Sequence, residues 1–298
     1  QSGDGVFGER TGPLEALQPF IDRSDEVGRV DAHGLGCQRG TNRPEAFAGL
    51  EDSNGLVRVD QNLGLLDVVR GNWSAARRTL DASLSKAESL QMVEEAAVSL
   101  RNLVELDLLE GRLDDATQRL GRARGLFESR GDRRGQVDAA LLAARIALTR
   151  GGHNEAIAAL DALPGGIDAA SPEQAAIAAL LRAHALAAAN RANEASKAAA
   201  EADALANRSG IRALQLEARM LTIHHPDPIL DDAIRQLGHV PLQLAWLERR
   251  AGMQIAAGAV REAEDALREA ESLLGPGQPY ARQATLETLA ARIKATQP

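Results

Sequence analysis

Asn62-Leu63-Gly64-Leu65-Leu66-Asp67-Val68-Val69-Arg70-Gly71 returns forty residues later as Asn102-Leu103-Val104-Glu105-Leu106-Asp107-Leu108-Leu109-Glu110-Gly111. Asn, Leu, Leu, Asp and Gly recur together, and Gly151 continues the interval. A fixed period of this length marks a repeat architecture, in which each unit is one supersecondary element that buries its apolar face only by stacking on the next.

A second signature follows each turn: Ala, three residues, then Leu. It reads Ala46/Leu50, Ala76/Leu80, Ala116/Leu120, Ala156/Leu160, Ala233/Leu237 and Ala263/Leu267, with Ala195/Ala199 as a degenerate copy. Twelve residues before the Ala stands another small residue at Gly34, Gly64, Ala144, Ala183 and Ala251, whereas Val104 and Leu221 depart from the rule. Two antiparallel helices joined by a tight turn explain the spacing. Their backbones approach closely where side chains are small, and Leu one turn later fills the core beside them. Gly at the turn ends the first helix, and Asn72, Asp114 and Asn154 are expected to cap or turn into the second.

Small-x11-Ala-x3-Leu, with Gly five residues before the Ala, resembles the tetratricopeptide repeat over roughly residues 27–275. Leu stands where that family usually has an aromatic, and Trp73 is one place where a family-like aromatic survives. The forty-residue period exceeds the usual length of about 34, which resembles the long repeats of kinesin-light-chain-like and bacterial signalling arrays. The expected fold is all-α: an α-solenoid of about seven helix-turn-helix units, elongated and curved, with a C-terminal capping helix. Residues 1–11 read as a flexible tether, 12–275 as the superhelix with a leading helix over 12–23, and 276–298 as the cap. The unit boundaries lie at Ser53-Asn54-Gly55, Leu163-Pro164-Gly165-Gly166, Pro241 and Gly275-Pro276-Gly277, and His225-Pro226-Asp227-Pro228 forms the turn inside the sixth unit.

Composition agrees. Hydrophobic residues make up 44% of the 298 but aromatics only 2%, so the apolar mass is Ala and Leu, which cost least in a helix. A net charge of -8 argues against nucleic acid, whose binding needs basic surface. Cys37 stands alone, which excludes an intramolecular disulfide and a cysteine zinc set. The opening Gln-Ser-Gly-Asp-Gly resembles the tether that follows the cleavage site of a bacterial lipoprotein. It raises the expectation of attachment at the periplasmic face of a membrane, against the alternative of a cytoplasmic sensor portion of a larger regulator.

The resemblance implies a non-catalytic scaffold that binds a protein or peptide along its concave side, which the first helices line. Arg58, Gln61, Asn62, Arg101, Asn102 and Glu105 are the candidate contacts. Asn62 and Asn102 would stack into a ladder of amides facing an extended backbone; alternatively, each joins a helix–helix hydrogen bond. A carboxylate-gripping groove is not expected, because Leu141 and Leu142 stand where the third unit should be polar. Asp67 and Asp107 read as a solvated face or as salt bridges to adjacent arginines rather than as a catalytic pair. No cofactor is expected, and His224-His225 lacks further ligands at metal-binding spacing. Arg119, Arg122, Arg124, Arg130, Arg133 and Arg134 concentrate basic charge on what should be the convex face. An enzyme hidden in the repeats would require a close cluster of perturbed titratable groups in the groove.

Overall fold

The computed structural model describes residues 53–167 and 170–296. The tether, the leading helix, Cys37 and the first expected unit around Gly34 and Ala46/Leu50 lie outside the described residues. Those described form thirteen helices and no strand. They pair as α1 (Ser53–Val69) with α2 (Trp73–Ser89), α3 (Val93–Glu110) with α4 (Leu113–Arg130), and α5 (Arg133–Thr149) with α6 (His153–Asp161). Next come α7 (Pro172–Ala188) with α8 (Ala192–Ser209), α9 (Arg212–Thr222) with α10 (Pro228–Leu237), and α11 (Val240–Ala256) with α12 (Val260–Leu274). A final helix, α13 (Gln283–Thr296), follows. Each helix packs on the next in chain order. The molecule is an all-α solenoid.

The spacing logic holds inside the pairs. Ala76, Ala116, Ala156 and Ala263 are all fully buried. A Cβ at Gly64 would lie 2.6 Å from Leu80: the small residue makes room for the Leu one turn beyond the Ala, rather than for Ala76 itself. The turns at Gly71, Gly111 and Gly151 take φ of 81°, 77° and 81°, a left-handed conformation that costs glycine nothing. Asn190, at φ 58°, fills the corresponding turn of the fourth pair.

The expected caps are corrected. No side chain caps α2, α4 or α6, and the Asn72 amide instead donates to Asp67 at 3.2 Å. The schellman-like turns supply backbone bonds there, such as Asn72 N to Asp67 O and Arg112 N to Asp107 O, both 2.8 Å. Side-chain caps sit elsewhere, at Asp132, Asp227, His239 and Ser171, the last forming a reciprocal box with Gln174 ahead of Pro172.

Successive first helices (α1, α3, α5, α7, α9, α11) touch one another, whereas successive second helices splay apart. The first helices therefore line the inside of the curve. The curve is tight enough that α11 returns to α1. One hydrophobic cluster holds Val57, Trp73, Leu103 and Phe127 together with Val240, Leu244, Leu267 and Leu289, so the ends of the array share a core. The curved solenoid thus closes on itself, its last helix pair against its first. Helix α13 buries Leu286, Leu289 and Ile293 and leaves Gln283, Thr285, Glu287, Thr288 and Arg292 exposed, an apolar face inward and a polar face outward. No described helix is long and apolar enough to cross a membrane.

Candidate functional site

Three of the expected contact residues, Arg58, Gln61 and Arg101, are tied into bonds between neighbouring first helices. Gln61, on α1, is 5% exposed and donates its amide to Glu95 O and Ser99 Oγ of α3, both at 2.9 Å. Arg58 pairs with Glu95 at 3.4 Å, and Arg101 with Asp138 of α5 at 3.0 Å. Gln174 of α7 continues the series, donating to Asp138 Oδ1 at 2.7 Å and to Arg134 O at 3.0 Å. These positions stitch one unit to the next.

The amide ladder needs correction. Asn102 is 1% exposed, and its Oδ1 accepts from Arg101 Nε at 3.3 Å and Nη2 at 3.0 Å. Its Nδ2 is buried without a partner, so the side chain faces the helix contact rather than a groove. Asn62 is half-buried. Asp107 is also buried, held by Arg77 at 2.7 Å and by Arg119, which is the salt-bridge reading of the repeated acid. Asp67 takes the Asn72 amide instead.

What the interior does present is a row of half-exposed charged groups. Glu105 of α3 pairs with Arg145 of α5. His184 of α7 lies 3.7 Å from Glu217 of α9. The side chains of these four residues remain 34% to 46% exposed. Glu105, Arg145 and His184 each follow the small position of their unit by one residue, at intervals of forty and thirty-nine, so this part of the row was legible in the repeat register. Glu217 was not, because its unit breaks the register at Leu221.

The electrostatics show convergence across the curve. Burial pushes the Glu217 carboxyl up, but the neighbouring His184, with the charges of Arg145 and His239, holds it below the usual carboxylate range. Burial lowers the His239 imidazole, against the charge of Glu217, and its Nδ1 accepts from Leu242 N at 3.1 Å as the α11 cap. Charges from α5, α7 and the start of α11 thus act on Glu217 of α9.

The outer face differs from its sequence reading. Arg119, Arg122, Arg130 and Arg134 pair with Asp107, Glu88, Glu94 and Glu173, which neutralises most of the basic concentration. A cleft of about 580 Å³ opens there between α4, α5 and α6, floored by Leu120, Ala143, Ile146 and Ala147 and rimmed by Arg124, Arg150 and Glu155. Among the described residues no group of three His, Cys, Asp or Glu could hold a metal ion, and the His225 Nδ1 lies 3.3 Å from Pro226 O. The sequence matches no protein-family model and no curated protein.

Proposed function

We propose that the chain is a non-catalytic interaction scaffold, a tetratricopeptide-like array that takes an extended segment of a protein partner against its interior. The observation that carries this reading is the Glu105–Arg145–His184–Glu217 row. It presents paired charges on four successive first helices and stays half-exposed, whereas Gln61 and Asn102 beside it are buried. Alternating charges a helix apart suit a backbone with mixed side chains better than a uniformly charged ligand. The pairing also argues against acid–base chemistry. Glu217 is held ionised, and the acceptor nitrogen of His239 is committed to its helix.

The test starts with a partner captured by the wild-type array and purified. Titrating it against Arg145→Ala should show binding weakened about tenfold or more, the value of one charge-assisted hydrogen bond. Arg122→Ala, on the outer face, should bind as wild type. Unchanged affinity in a folded Arg145→Ala protein, with loss in Arg124→Ala at the outer cleft, would transfer the site to the convex side.

A further inference from the structure

The place where the array meets itself has a regular construction. Val240, at the start of α11, packs on the turn after α1: a Cβ on Gly71 would lie 3.0 Å from Val240 Cγ1. Ala281, before α13, packs on the turn after α3: a Cβ on Gly111 would lie 3.2 Å from Ala281 Cα. Between the two, the Tyr280 and Trp73 rings meet with centroids 6.0 Å apart and planes tilted by 30°. The amide of Ala281 donates to Leu109 O at 2.8 Å. In each case a unit rests on the turn edge of the unit five places before it, so about five pairs complete one superhelical turn and the next turn starts on top of the first. The equivalent turn of the third pair, Gly151, has nothing within 4 Å. The seam therefore spans two units and stops.

We propose that this seam is a clasp that sets access to the interior row. Closed, it joins the last helix pair to the first two and narrows the path by which a large ligand reaches Arg145, His184 and Glu217. Open, it leaves a broad curved groove. Several features let the seam open as a clasp even though one apolar cluster runs across it. Among the described residues, the polar and ring contacts across it are one backbone hydrogen bond and one ring pair, with two close approaches to glycine. Its near side also carries polar atoms without partners, Glu248 Oε2 and Gln278 Nε2. Buried unpaired groups of this kind are relieved when water enters. On each side of the seam the paired helices also pack directly on one another. The claim about access rests on the interior reading of function, whereas closure of the seam does not.

Asparagine tests the seam without forcing the turn, because it tolerates the left-handed conformation and already occupies that turn at Asn190. Gly71→Asn/Gly111→Asn should wedge the seam open. Gly151→Asn makes the same change at the same turn position where no seam exists. The native cysteine is removed as Cys37→Ser, and His184→Cys supplies an interior thiol in all three backgrounds. Reaction rates are then measured with N-ethylmaleimide and with a bulky polyethylene glycol maleimide, and helix content is followed by circular dichroism.

The expected result is that the double variant reacts faster with the bulky reagent by about tenfold, as when an open form that was a tenth of the population becomes dominant. The small reagent and the Gly151→Asn protein should show no such gain. A bulky-to-small rate ratio that is unchanged in the folded double variant, or raised equally by Gly151→Asn, overturns the proposal. The readout needs no partner, so it separates the clasp from the interior reading, which fails on its own terms if Arg145→Ala binds the captured protein normally.

Discussion

Glu248 is 6% exposed, with Arg282 on one carboxylate oxygen and nothing on the other. Burial pushes its carboxyl above the ordinary 4.5, against the pull of Arg282. Nearby, burial and then the Glu248 charge push the Tyr280 hydroxyl up to about 12. The linkage sign follows. A carboxyl raised in the folded state favours folding below its unfolded pKa, and that contribution is lost as pH rises through the folded value. Glu248→Gln removes the charge and keeps the shape. The variant should therefore melt above wild type at neutral pH, and the gain should shrink as pH falls toward and below 4.5; an equal gain at every pH would mean that charge burial is not the cause. The register places Gln61, Arg101 and Glu248 at one site in three units, and in each the side chain reaches the next unit. Whether such a residue meets a ligand or a neighbouring helix depends on the angle between units, which no single stretch encodes. Asn102 was misread for that reason.

Helix lengths were written more plainly. Most first and second helices run 17 or 18 residues, but α6, α9 and α10 have 9, 11 and 10. The short ones lie beside Leu163-Pro164-Gly165-Gly166 and Pro226-Asp227-Pro228, where Pro and Gly cut the pattern. The pairing of helices was equally legible, because it rests on contacts between residues close in sequence. Ala116 is 0% exposed, so Ala116→Leu should overpack the α3–α4 contact and cost about 1–3 kcal/mol. Chemical denaturation would check it; an unchanged midpoint would show that the pair tolerates a larger side chain than its burial implies. The caps were not legible. Asn72 stands at its N-cap, but Asp114 and Asn154 lie one residue inside their helices, whose N-caps are Arg112 and Gly152; the left-handed glycine turns already give the neighbouring backbone groups their bonds, and Asn72 and Asp114 turn to Asp67 and Arg150.

At the scale of the whole molecule, closure changes how stability is distributed. In an open solenoid each repeat contacts only its neighbours, so a perturbation at one end stays there. Here Tyr280 lies against Trp73, some two hundred residues earlier in sequence, and Ala281 bonds to Leu109. The sequence offered Trp73 and Tyr280 as isolated aromatics, and nothing in either local pattern joins them. Their meeting follows from the summed rotation of five helix pairs, three of whose helices are shortened. The test is local exchange after a remote change. Tyr280→Ala removes a ring contact worth about 0.5–1.5 kcal/mol beyond its buried area. The turn amides of Asn72 and Arg112, bonded to Asp67 O and Asp107 O, should then exchange about tenfold faster, which corresponds to ~1.4 kcal/mol of lost local stability. The Gly152 amide bonds to Ala147 O at 2.8 Å in the same turn of the third pair, beyond the seam, and should keep its rate. Equal acceleration at all three amides would indicate global destabilisation, and acceleration at none would mean that the ring pair contributes nothing to closure. Selective loss at the first two turns requires that the last unit support the first, a coupling that a linear array does not possess.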